Sequence, residues 1–233
     1  MNMKNIGLLL LFVSLLCSCD TKQDWYDSGI CSPYHDCSIM EYLRGDTANW
    51  KLTVELIERA ELTDLFEGND PNYKEITFFA PPSFTVLRYV WDKATGKEDY
   101  PNDQSKWRPL TEEEGAYPER LVRALDKNWC REMILRHVVK GKHLKEEIGF
   151  RTMDYEIDAP AQNGGTDFTC VSGNKIRVYS EKSDYGSVPD AGAATMSVYS
   201  FTVMKQVPMS SPDIQPLNGV VHALNYNYLL GEI

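Results

Sequence analysis

Ile76-Thr-Phe-Phe-Ala-Pro-Pro-Ser-Phe84 decides the fold. Ile76 to Ala80 is a short apolar run of β-prone residues without a charge, the pattern of a strand buried on both faces. Pro81 and Pro82 follow with no backbone N–H to donate and with φ fixed, so pairing must stop there. Ser83 then offers a hydroxyl able to cap a helix that begins at Ser83-Phe84-Thr85-Val86-Leu87. A buried strand leading through a rigid turn straight into a helix sets a layer of strands against a layer of helices.

On the N-terminal side, apolar residues between Ser38 and Phe66 recur at helical spacing, first Ile39, Tyr42 and Leu43, then Leu52, Leu56, Ala60 and Leu65. Gly45-Asp46 punctuates the first set and Gly68-Asn69-Asp70-Pro71 stops the second, which predicts two helices. On the C-terminal side, Asp92 to Pro118 has few aliphatics and many Asp, Glu, Lys, Gly and Pro residues, so it reads as a loop far longer than an ordinary connection. Glu119 to Val139 returns to helical spacing through Leu121, Leu125, Trp129 and Met133.

Beyond Gly141 the pattern turns to strands at Met153–Ile157, Phe168–Val171, Lys175–Tyr179, Met196–Met204, Val220–Leu224 and Tyr228–Leu230. Ser172-Gly173-Asn174 joins two of them closely enough for a hairpin. Helices first and strands later, with no βαβ alternation and no internal repeat, predict one α+β domain.

The leader has a different chemistry. Lys4 precedes an apolar run of eleven residues, Ile6 to Leu16, whereas a bilayer span needs about 20. Residues 1–18 therefore read as a secretory signal. Leu16-Cys17-Ser18-Cys19 resembles the lipobox of bacterial lipoproteins, which implies that Cys19 is acylated and becomes the new N-terminus, with outer-membrane lipid as its partner and the cell surface as its expected face. An ordinary signal peptide cut nearby is the alternative. Residues 19–37 are polar and turn-rich, as a flexible tether would be.

Lys plus Arg total 24 against 34 Asp plus Glu, a formal net charge of −10, and removing Lys4 with the leader makes the balance one unit more negative. Such a chain lacks the clustered cations of a nucleic-acid-binding surface. Of six cysteines, Cys17 would be discarded and Cys19 acylated, leaving Cys31, Cys37, Cys130 and Cys170. An envelope compartment favours disulfides among these four, which allow three complete pairings. Buried free thiols are the alternative, and Cys31, His35 and Cys37 could also be read as zinc ligands, although no second Cys/His pair with metal spacing follows. No metal or other cofactor is expected.

Three segments carry a resemblance to the fasciclin-like (FAS1) family. Ile76 to Phe84 is similar to its strand–small–Pro turn–helix signature. Ile134-Leu-Arg-His137-Val-Val-Lys-Gly141 is similar to its helix ending in Leu-x-Tyr-His-Val-Val-x-Gly. Asp213-Ile-Gln-Pro-Leu-Asn218-Gly219-Val-Val-His222-Ala-Leu224 is similar to its closing Asp-Ile…Asn-Gly-Val-Ile-His motif. The resemblance covers residues 38–233 and implies N-terminal helices packed on a mostly antiparallel β-wedge or sandwich, with an insertion at about 92–118. It departs at Arg136, where the family has Tyr, and at Gly231, where Pro is common. The function it implies is adhesion or recognition of a glycan or protein without catalysis. A structural accessory of an outer-membrane nutrient-uptake or surface assembly is an alternative, as is an envelope hydrolase with an unfamiliar site.

Residue by residue, Pro81, His137, Asn218, Gly219 and His222 read as structural members of the motifs. Asn218-Gly219 tolerates positive φ ahead of a buried strand, and both imidazoles lie in apolar surroundings that suit hydrogen-bonded core members. Three ligand candidates remain. Arg44-Gly45-Asp46 is an integrin-type tripeptide in which Gly45 is already explained as a helix stop. Asp213-Ile214 matches the Asp-Ile that animal domains of the family use in adhesion, with Ile214 packed inside as the competing explanation. Tyr100, Trp107 and Tyr117 lie among hydrogen-bonding residues of the long loop, a mixture suited to a glycan.

Overall fold

The computed structural model describes residues 32–233, in which the folded unit is Pro33–Ile233. The leader, the lipobox with Cys19, and Cys31 lie outside the described residues. Among the described residues no helix is long and apolar enough to cross a membrane.

The chain is α+β. Strands β1 (Tyr34–His35), β2 (Ile76–Ala80), β3 (Val138–Lys140), β4 (Thr166–Thr169), β5 (Lys175–Lys182), β6 (Ala194–Ser200), β7 (Lys205–Pro216) and β8 (Gly219–Leu224) form one path in the order β3-β2-β8-β7-β6-β5-β4, with β1 beside β7. Pairing is antiparallel except for β2 with β8 and β1 with β7. The two ends of the path approach each other, since Val171 N–H just beyond β4 donates to Val138 O of β3 at 2.8 Å. This nearly closed sheet leaves little of the open edge that would otherwise recruit another chain.

The described residues form seven helices: α1 (Ile39–Gly45), α2 (Thr47–Arg59), α3 (Thr63–Phe66), α4 (Ser83–Ala94), α5 (Glu112–Ala116), α6 (Pro118–Ala124) and α7 (Lys127–Leu135). The segment Ser38–Phe66 thus holds three helices, not two. The chain restarts at Thr63 because Leu62 keeps its N–H on Ile57 O while its carbonyl accepts from Leu65 and Phe66. The single helix expected over Glu119–Val139 is also divided. Leu125 is extended, Arg59 Nε–H holds its carbonyl at 2.8 Å, and Asp126 caps the next helix through Trp129 N–H at 2.8 Å. Val138 then enters the sheet.

Two expected strands are absent. Met153 and Tyr155 alternate with polar residues, but both are exposed and the segment is turns. Tyr228–Leu230 is a turn whose Tyr228 ring plunges into the core. A strand that sequence reading missed, β7, contains Pro208 and Pro212 and is interrupted by register shifts between Met209 and Ile214, so it carries no clean alternation. The N-terminal boundary moves as well. Pro33 O accepts from Gln215 N–H at 2.6 Å and Cys37 O from Leu217 N–H at 2.9 Å, which makes residues 33–37 part of the fold and not of the tether.

The central strand β2 is buried at every residue, and Phe78 meets Phe66 of α3 edge-on with ring centroids 4.8 Å apart. Pro81 and Pro82 end it as expected from their chemistry. Ser83, however, does not cap α4. Its Oγ accepts from Leu52 N–H at 3.0 Å while Thr53 Oγ–H donates to Pro81 O at 2.6 Å, so the turn is bolted to α2.

Candidate functional site

The insertion is an ordered structure. α4 runs to Ala94, and Arg108 N–H returns to Thr95 O at 3.0 Å, closing the loop at its base. A short 3-10 turn at Gln104–Lys106 and α5 occupy the interior of the segment. Thr111 and Glu114 form a reciprocal capping box at the start of α5. The Glu114 carboxylate also takes both arms of the Arg108 guanidinium, at 2.8 and 2.6 Å. That pairing holds its pKa down at about 2.

The structure brings Tyr100 and Trp107 together: the indole N–H of Trp107 donates to Tyr100 O at 2.8 Å. Cations from the same loop stand over the rings, Lys106 Nζ 4.2 Å from the Tyr100 centroid and Lys97 Nζ 5.6 Å from that of Trp107. Tyr117 sits at the far end of the segment with the Arg120 guanidinium 4.5 Å over its ring, beside a cleft of about 250 Å³ that also takes in Thr111, Glu113 and Leu121. No ring contact joins it to the other two among the described residues. Tyr100 is 44% and Tyr117 47% exposed.

Asp213-Ile214 is committed to the fold. Asp213 adopts φ +62° where β7 is irregular, its Oδ1 accepts from Lys145 N–H at 2.7 Å, and Ile214 packs against the core. Asp213 N–H in turn donates to His222 Nδ1 at 3.1 Å, which leaves the proton on His222 Nε2 to be donated to His143 O at 3.0 Å. Both ring nitrogens face backbone groups, and burial lowers the pKa, so His222 is neutral and its 4.0 Å approach to the Asp213 carboxylate is no ion pair.

His137 is arranged in the same manner. Nδ1–H donates to Met133 O at 2.7 Å, and Nε2 accepts the Tyr228 hydroxyl proton at 2.7 Å. The Tyr228 oxygen then accepts from Gly231 N–H at 3.1 Å. Complete burial brings the imidazole pKa down to about 4. Neither histidine has a lone pair or proton free for a substrate. The third signature residue, Asn218, bridges layers: Oδ1 accepts from Ile39 N–H at 2.7 Å and Nδ2–H donates to Phe66 O at 2.9 Å.

Arg44-Gly45-Asp46 is taken up by helix termini. The Arg44 guanidinium reaches Glu58 at 2.8 Å and Glu67 at 3.3 Å, Gly45 ends α1, and Asp46 caps α2 through Asn49 N–H at 3.2 Å. Cys37, Cys130 and Cys170 stand as free thiols, and Cys31, the fourth candidate for a disulfide, lies outside the described residues. Cys130 on α7 and Cys170 after β4 are buried in the core as small apolar side chains, and burial pushes their pKa values up to about 11 and about 12. Among the described residues no group of three or more His, Cys, Asp or Glu side chains is placed to hold a metal ion.

Acids do converge at a cleft of about 470 Å³ lined by Glu55, Glu58, Arg59, Glu61 and Arg123. Each is matched by a base: Glu55 by Arg123, Glu58 by Arg44, Glu61 by Lys127. The Lys127 partnership lowers the Glu61 pKa, whereas a general acid for glycoside hydrolysis needs a raised one. Sequence reading assigned nothing to Phe150, a half-exposed ring just ahead of Met153.

Neither a protein-family model nor a curated protein matches the chain. Among solved structures it is similar to a FAS1 domain pair from the insect cell adhesion molecule fasciclin I, with a TM-score of 0.43 and 15% identity. The likeness covers 78% of this chain and 44% of that one, so this chain spans less than half the length of the domain pair.

Proposed function

We propose that this protein is a non-catalytic, fasciclin-like recognition domain, held to the outer membrane through acylated Cys19 and facing the cell surface, that binds a glycan or surface protein through its insertion. The observation that carries the reading is the fixing of Tyr100 and Trp107 at the surface by Trp107 Nε1–H to Tyr100 O, within a loop closed by Arg108 and Glu114. Rings already held in place lose little freedom on meeting a ligand. Acids paired with bases, and histidines whose ring nitrogens are taken by backbone groups and by the Tyr228 hydroxyl, leave recognition better served than hydrolysis. Replacing Trp107 with Ala and running the protein through polyacrylamide gels containing soluble polysaccharides tests this: the reading expects retardation of the parent chain and its loss in the variant. Equal mobility in every polysaccharide removes the glycan form of the proposal.

The accessory-subunit reading has one observation of its own. Phe84 and Tyr226 are both exposed and lie edge to face at 6.5 Å, with the Arg88 guanidinium 5.3 Å over the Phe84 ring, an aromatic and arginine grouping of the kind enriched where proteins meet. Pull-down from intact envelopes with Phe84→Ala as comparison distinguishes it: a co-purifying envelope protein lost in that variant favours the assembly.

A further inference from the structure

A second surface, apart from the insertion, carries a cleft of its own. Segment Gly149–Arg151 lies alongside β5, with Ser180 N–H on Gly149 O at 3.0 Å and Arg151 N–H on Ser180 O at 2.9 Å. Buried Gln162 fixes the next residue from both sides, accepting from Thr152 N–H and donating to Thr152 O, each at 2.8 Å. Gly164 permits the return strand to pass, since a β-carbon there would fall 2.2 Å from Phe150 O. Underneath, Ile157, Tyr179 and Tyr199 form a small core of their own, and the Tyr199 hydroxyl donates to Asp158 at 2.9 Å.

This rigid platform carries a cleft of about 220 Å³ lined by Phe150, Arg151, Met153, Glu181, Lys182 and Asp190. Phe150 is 52% exposed with Lys182 Nζ 5.4 Å from its centroid. The Arg151 guanidinium rests 5.8 Å from the Tyr179 centroid and 3.5 Å from Glu181, and its buried Nε–H has no hydrogen-bond partner. Lys182 and Asp190 have no ion pair among the described residues.

Two cations and two anions cancel, which is the wrong balance for a phosphate or a polyanion. Covering four charged groups with a wholly apolar ligand would strip their water without replacement. A polyhydroxylated ring meets both conditions: its C–H face lies on Phe150 and Met153, Asp190 and Glu181 accept from hydroxyls, and Lys182 and Arg151 donate to oxygens. The volume is below the ~300–1,000 Å³ of pockets for drug-sized ligands, so it suits one ring and no more. We propose that the Phe150 cleft is a subsite for a single neutral sugar residue. The proposal rests on the recognition reading only for its ligand class and is independent of the insertion.

Saturation-transfer difference NMR on the full chain, with methyl glycosides of glucose, galactose, mannose and N-acetylglucosamine and with glucuronate as anionic probe, tests it. At least one neutral glycoside is expected to give a signal that falls fivefold or more in Phe150→Ala and in the double variant Lys182→Ala/Asp190→Ala, and that is unchanged in Trp107→Ala. Phe150 and Lys182 are on the surface, and thermal unfolding of each variant shows that the fold is kept. Should Phe150→Ala unfold, the double variant decides. No signal from any neutral glycoside, a signal from glucuronate alone, or a signal indifferent to both variants overturns the proposal. Polysaccharide retardation that depends on Trp107 and not on Phe150 would sink this subsite while leaving the insertion reading in place, and the converse pattern would do the opposite.

Discussion

A β-carbon at position 219 would lie 1.9 Å from the carbonyl oxygen of Ile76, so β8 can run parallel to β2 only because Gly219 begins it. The same turn places Asn218 where its amide reaches Ile39 and Phe66, and the helical layer is tied to the sheet at that point. Gly219 has φ +151°, a conformation that L side chains rarely adopt. Gly219→Ala is expected to lose about 4 kcal/mol or more, with the chain recovered largely unfolded, because the clash is with backbone that cannot step aside. Asn218→Ala is expected to lose about 2–3 kcal/mol by leaving Ile39 N–H and Phe66 O without partners. Urea unfolding measures both, and a Gly219→Ala protein as stable as the parent would show that the two strands are not in this register.

Acid stability should report on His137. Its imidazole titrates near 4 in the fold and near 6.5 when exposed, so between those values the unfolded chain binds a proton that the folded chain refuses. Stability therefore falls as pH drops from about 6.5 towards 4, by about 3 kcal/mol at most, and His222 adds in the same direction. Carboxylates held below their usual range begin to lose their contribution at about pH 5, so the slope between pH 6.5 and 5 is the part that reports on the imidazoles. Unfolding midpoints at pH 7.5, 6, 5 and 4.5 should show this slope. Tyr228→Phe should cost about 1–3 kcal/mol of stability across this range, because His137 Nε2 then lies buried without its donor.

Much of this scaffold was legible because its signals are local. Pro81-Pro82 removes donors at the two positions where β2 must end, and Asn218-Gly219 announces a turn in two adjacent letters. Failures came where a neighbour distant in sequence decides. Met153, Tyr155 and Ile157 alternate like a strand, yet no partner runs beside them and only Ile157 is buried. Ser83 has the chemistry of a cap, but its hydroxyl is occupied by Leu52, 31 residues away. β7 was obscured by its prolines and register shifts. At the surface, the rings of the insertion could be seen in the sequence but not the lysines over them. Phe150 gave no signal, since Lys182 and Asp190 meet it only after β5 has passed beneath the loop.

The Arg108–Glu114 fork should govern the order of the insertion and little else. Glu114→Ala removes both arms and one side of the Thr111 capping box. Amide exchange over residues 95–117 is expected to quicken tenfold or more, while the global unfolding midpoint hardly moves, as for other surface ion pairs. If the insertion holds the ligand, retardation on polysaccharide gels should weaken in parallel. Exchange as slow as in the parent chain would mean that other contacts hold the loop.

Arg44-Gly45-Asp46 is expected to be silent in adhesion and measurable in stability. Asp46→Ala should lose about 1 kcal/mol through the missing cap at Asn49 N–H. Cell spreading on the immobilised protein, if any occurs, should be indifferent both to this change and to a competing peptide containing the tripeptide. Competition by that peptide would mean that α1 and α2 part to release it.

Thiol chemistry gives a last check on the core. Only the thiolate attacks an alkylating reagent, and burial holds Cys130 near pKa 11 and Cys170 near 12, so at pH 8 both are protonated as well as covered. Iodoacetamide at pH 8 should label Cys37, half-buried at the edge of the fold, well ahead of these two. Cys130 and Cys170 should react only at the rate at which the chain unfolds, and both should become accessible together in urea. A peptide map showing either of them alkylated as fast as Cys37 under native conditions would mean that α7 or the β4–β5 hairpin opens without global unfolding.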